Sequence, residues 1–192
     1  YWSHYQNQKA GDTGEEMSRL IDTLPGAGTP EAKKLDELAS SGPGGFRVAA
    51  MLTKAAVAAE KGDAKSAAAI YGQINADTGL EKPWRDLALI RKTEVEYDQL
   101  KPEEVIARMK PLAIAGDPWF GSAGEMLAIA YMKSGQQKLA GPVFAAIAKD
   151  KTAPRSVRSR AGQMAGLLGI DAVEIDEDKG EGANGNAGSD AQ

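Results

Sequence analysis

Two copies of one helical-hairpin signature, 73 residues apart, constrain this chain more than any other feature. The first copy reads Ala55, Ala58, Gly62, Ala67, Tyr71, and the second Ala128, Tyr131, Gly135, Ala140, Phe144. Their spacing is about twice the ~34-residue period of two-helix repeats. A degenerate copy fits between them at Thr93, Leu100, Val105 and Met109. Small residues at the first, second and fourth positions let antiparallel helices approach closely. Gly62 and Gly135 are expected to end the first helix of each hairpin in a left-handed turn, where a Cβ costs energy. The aromatic fills the groove between one hairpin and the next. Stacked hairpins of this kind present a concave surface, which suits binding better than catalysis.

Composition agrees with a helical array. Alanine, leucine, lysine and glutamate dominate, and aromatics are few. At 192 residues the chain can bury a sizeable core. It has no cysteine, which excludes a disulfide framework and a thiolate metal site. The chain starts at Tyr1 without an initiator Met, as expected of a mature form or fragment. No stretch of it approaches the ~20 apolar residues of a membrane span.

The net charge of −4 is unevenly spread. Residues 171–192 hold seven acids against Lys179 and carry −6, which leaves +2 on residues 1–170. A nearly neutral body gives no electrostatic case for nucleic acid. The segment 171–192 is acidic, Gly-rich and poor in apolar residues, so it is expected to be disordered.

The pattern along the chain predicts the elements. Met17, Leu20, Ile21 and Leu24 form one apolar helix face. Thr29 and Pro30 start a second short helix that runs to about Ala39, and residues 40–45 break it. Helices are then expected at 46–60, 64–76, 83–98, 102–115, 118–133 and 137–149. A final helix starts after Thr152-Ala153-Pro154, with Gly169 as its stop. Pro111 and Pro142 fall inside helical patterns and are expected to kink or end them.

Several motifs invite chemistry and fail its requirements. The run 180–185 matches G-x-G-x-x-G in spelling, but no strand precedes it and no helix follows. The acids at 176–178 lack the glycine and glutamate spacing of a calcium loop. His4, the sole histidine, has neither catalytic partners nor fellow zinc ligands. The chain is therefore read as non-enzymatic, with no cofactor or metal. The candidate binding residues are instead the large and basic ones. Trp84 and Trp119 each begin a predicted helix, where they pack in the core or line the concave face. Arg155, Arg158 and Arg160, with Lys149 and Lys151 against Asp150, make a patch of +4. That patch is either a solvated face or a docking site for an acidic segment. Tyr1, Trp2 and Tyr5 would suit a membrane boundary if a spanning helix preceded them.

Three stretches carry a family resemblance: Trp84-Arg85-Asp86-Leu87-Ala88-Leu89-Ile90-Arg91, Leu127-Ala128 through Gly135, and Pro154-Arg155-Ser156-Val157-Arg158-Ser159-Arg160-Ala161. With the N-terminal helix, they resemble the tetratricopeptide-repeat-like family of ancillary Sec-translocon subunits, in its alphaproteobacterial branch, over about residues 1–168. The chain departs from the family at Ala58, where an aromatic is usual, and at Pro142. The resemblance implies a single-pass inner-membrane protein with a repeat domain facing the periplasm. It also implies association with the Sec translocon or with periplasmic chaperones.

The expected fold is all-α. A tetratricopeptide-like array of about three helical hairpins, residues 29–170, is closed by a C-terminal capping helix. Residues 1–28 form an N-terminal juxtamembrane segment and helix, and residues 171–192 the acidic tail. The expected function is a protein-binding scaffold tethered by a helix upstream of Tyr1. The alternative is a self-association module that forms a homodimer.

Overall fold

The computed structural model describes residues 30–42 and 44–170. Among them the chain is all helical, with no strand: α1 Pro30–Ser41, α2 Gly44–Glu60, α3 Ala64–Ala76, α4 Lys82–Glu96, α5 Pro102–Met109, α6 Phe120–Lys133, α7 Gln137–Lys149 and α8 Arg155–Leu167. The helix expected over residues 17–24, the aromatic cluster near Tyr1 and the tail 171–192 lie outside the described residues.

Glycine closes the hairpins. Gly62 and Gly135 have φ of +81° and +77°. The Asp63 N–H donates to the Ala58 carbonyl at 2.9 Å, and the Gly62 N–H to that of Ala59 at 2.9 Å. The Gln136 N–H donates to Tyr131 at 2.7 Å and the Gly135 N–H to Met132 at 3.1 Å. These paired bonds satisfy carbonyls that the last helical turn leaves open, and only glycine adopts the required φ without strain. Past the first glycine, the Asp63 carboxylate accepts from the Ser66 N–H at 3.0 Å and starts α3 at once.

The two prolines behave differently. α5 ends at Met109, two residues before Pro111, so the helix expected over 102–115 is only 102–109. α7 runs through Pro142 without ending. Pro142 is exposed, while Ala140, Gly141, Phe144 and Ile147 around it are buried. The lost hydrogen bond is offset by apolar burial on the opposite face.

The helices pack in sequence order, as an array of hairpins must. α2 lies against α3, α3 against α4, α6 against α7, and α7 against α8. Short turns reverse the chain between α2 and α3, α3 and α4, α6 and α7, and α7 and α8, so α2 and α4 run the same way, as do α6 and α8. α2 touches α4 and α6 touches α8, which forms an inner row. α1 covers α2 through Leu35 and Ala50, with Lys54 Nζ 2.6 Å from Asp36. Arg47 Nη2 donates to Asp77 at 2.6 Å and ties the start of α2 to the end of α3.

Two cores result. The first joins Val48, Met51, Ala55, Ala67, Tyr71 and Ile74. The second is larger and runs from Ile90 to the last helix through Met109, Phe120, Leu127, Phe144 and Ile147. α4 belongs to both, since Ala88 faces the first core and Ile90 the second. Glycines let α6 sit deep in the second core. A Cβ on Gly124 would lie 3.0 Å from Ile147 Cδ1.

Candidate functional site: a groove between α2 and α4

The first hairpin leaves an open groove of about 500 Å³ along the inner row. α2 supplies Leu52, Ala56, Ala59 and Glu60 to one wall, and α4 supplies Leu87, Arg91, Glu94 and Val95 to the other. Tyr71 of α3 lies between the walls as a floor. The groove exists because α2 carries alanine where it faces α4. A second hollow of about 550 Å³ lies between α3 and α4, lined by Ala68, Lys65, Lys92 and Glu96. Its charges are largely answered within the chain, because Glu96 accepts from Arg108 at 2.6 Å and has Lys92 at 4.0 Å.

The first groove is graded along its length. α2 and α4 run the same way, so Leu52 and Leu87 lie toward one end and Glu60, Arg91 and Glu94 toward the other. Leu52 and Glu60 are eight residues apart, about 12 Å along a helix. At the charged end Arg91 Nη1 donates to Glu94 Oε2 at 2.8 Å. Glu60 is exposed and has no ion pair among the described residues. The end therefore carries a net charge of −1.

Tyr71 adds a polar atom to an apolar floor. The residue is 4% exposed. Burial pushes its phenol above the usual tyrosine range; Arg91 opposes that shift and Glu94 adds to it. The hydroxyl thus stays protonated at neutral pH and can both donate and accept. It makes no hydrogen bond among the described residues. Together, an apolar cleft, a spare hydroxyl and a spare carboxylate can hold a side chain and its neighbouring peptide groups. Among the described residues no three His, Cys, Asp or Glu side chains gather as a metal would require.

The residues singled out from sequence lie elsewhere. Trp84 sits in the first turn of α4, 36% exposed, and lines neither hollow. Trp119 precedes α6 and packs, half-buried, against the second core. Arg155 is exposed at the start of α8. Arg158 is half-buried, and its charge helps hold the Asp150 carboxyl below its usual range, after the larger effect of hydrogen bonds from Thr152. Arg160 forms a two-pronged pair with Glu125 of α6, at 3.0 Å and 2.9 Å. The structure brings neither tryptophan to the arginines, and part of the basic patch is answered from within the chain.

The second hairpin shows what closes a groove of this kind. Moving 73 residues along from Leu52, Ala56, Ala59 and Glu60 gives Glu125, Ile129, Met132 and Lys133. Ile129 and Met132 fill the inner face and pack on the second core. Glu125 reaches Arg160 across the gap to α8, and Lys133 Nζ stacks 4.4 Å from the centre of the Tyr97 ring. The two alanine positions of the first hairpin thus carry larger, partly buried side chains in the second, and the Glu60 position carries a lysine with a ring partner.

Among the described residues, fold and groove define a class: an all-helical hairpin array with an open groove along its inner row. Comparison with family models, with curated proteins and with solved structures found no match to this chain.

Proposed function

We propose that this protein is a non-enzymatic scaffold that binds segments of other proteins, with the α2–α4 groove as its binding site. The observation that carries this reading is the groove itself, an open cleft of about 500 Å³ with an apolar end at Leu52, Ala56 and Leu87 and a charged end at Glu60, Arg91 and Glu94. A cleft of that size, with apolar side chains at one end and charged ones at the other, suits a ligand's side chains. The groove is open to solvent along the array, which suits a polypeptide segment better than an enclosed small molecule.

The resemblance to ancillary Sec-translocon subunits supports a setting for this scaffold. In that setting it is the periplasm-facing repeat domain of a single-pass inner-membrane protein, anchored upstream of Tyr1. Its partners there are the translocon or envelope chaperones. None of the described helices is long and apolar enough to cross a membrane. Nucleic acid is not a partner in this reading, and no cofactor takes part.

Crosslinking the full-length gene product in its native membrane tests the proposal. The expected result is recovery with the membrane fraction and covalent adducts to other envelope proteins. Recovery only as a soluble homodimer, with no other protein captured, would replace the scaffold with the self-association module.

A further inference from the structure

Resting on that reading of the groove, we propose its preferred occupant: an extended segment with one apolar side chain and a lysine or arginine two or three residues away. The apolar side chain enters between Leu52, Ala56 and Leu87, where alanine leaves the space. An extended chain advances ~3.3 Å per residue. Two or three residues, plus the reach of a long cationic side chain, cover the ~12 Å from Leu52 to Glu60.

The charge of the segment follows from the groove's far end. Arg91 and Glu94 answer each other at 2.8 Å, so Glu60 is the carboxylate left over. A cation there gains a partner, and an anion there meets repulsion. Tyr71 lines the groove between the two walls and offers its hydroxyl to the backbone of the segment. It hydrogen-bonds a peptide group whatever the residue, so the segment is read at two positions and tolerated at the rest. The lysine-lined hollow on the far side of α4 differs, because its carboxylate is already paired.

The test uses a fluorescein-labelled nonapeptide of glycine and serine, with leucine at its centre and lysine two places away on each side. Binding is followed by fluorescence anisotropy. Replacing the leucine by alanine should weaken binding about tenfold. Replacing both lysines by glutamate should weaken it about two- to fivefold, and less at high salt. In Glu60→Lys protein the preference should reverse toward the glutamate peptide while the leucine dependence persists. Ala56→Trp, at an exposed position that leaves the core untouched, should abolish binding.

Two failures are distinguishable. If both charge versions bind the wild-type protein equally, or Glu60→Lys keeps the lysine preference, the proposed occupant is wrong and the groove remains a binding site. If no peptide binds, or Ala56→Trp binds as the wild type does, the groove reading falls and the occupant with it.

Discussion

In the hairpin α2–α3 the inner face carries Ala56 and Ala59; in α6–α7 the equivalent positions carry Ile129 and Met132. The two hairpins otherwise follow one plan. Both turn at a left-handed glycine, and both place an aromatic, Tyr71 or Phe144, at the same step. A few methylenes on the inner face separate an open groove from a packed one. The pairing of charge follows the packing. Glu60 has no ion pair among the described residues, while its counterpart Lys133 lies 4.4 Å from the centre of the Tyr97 ring. The second hairpin is thus the more fully packed of the two, and the first the more open.

The largest expected effect falls in the closed hairpin. Phe144 is fully buried in the larger core, so Phe144→Ala should cost about 3–5 kcal/mol, read by chemical denaturation. Tyr71→Phe, at the matching position of the open hairpin, should leave the melting temperature nearly unchanged, since the hydroxyl has no partner among the described residues. A large loss from Tyr71→Phe would mean that the hydroxyl serves the fold.

Copying the closed hairpin into the open one comes next. Ala56→Ile with Ala59→Met should fill the groove and reduce affinity for the leucine–lysine peptide at least about tenfold, by anisotropy, with the fold retained. Unchanged affinity would break the link between groove volume and binding.

A smaller effect should be equal in both hairpins. A Cβ on Gly62 or Gly135 meets nothing within 4 Å, so alanine there suffers only the strain of its positive φ. Each substitution should cost about 1–2 kcal/mol. Markedly different costs would show that the turns are not equivalent.

The smallest is the response to acid. Hydrogen bonds from Ser66 hold the Asp63 carboxyl below its ordinary range, as Arg47 and the Gly79 N–H do for Asp77. A carboxyl lowered by folding stabilises fully above its unfolded pKa, about 3.9, and that contribution is lost as pH falls through the lower folded value. The melting temperature should therefore stay level from about pH 8 to 5 and decline below about pH 4. Asp77→Ala should flatten the decline.

Much of this fold was legible in the residues. Helices 64–76 and 137–149 fall where the pattern places them, because Asp63 caps one start and Gly135 forces the turn before the other. The helical pattern marks Pro111 as a kink or stop, and α5 ends two residues before it. Pro142 was not readable alone, since its tolerance depends on which face is buried. The groove was hardest to see. Its walls come from residues about 35 positions apart, and it arises from missing side-chain volume, which leaves no periodic mark. The repeat spacing marks Tyr71 as a packing residue and says nothing of its hydroxyl. The tryptophans drew attention by size, yet Trp84 and Trp119 lie away from the groove.

Amide chemical-shift mapping of the protein on addition of the leucine–lysine peptide tests the central claim most directly. The account predicts shifts gathered on residues 52–60, on Tyr71 and on residues 87–95, with α6–α8 silent. Shifts centred on α6–α8, or no shifts at all, would contradict it.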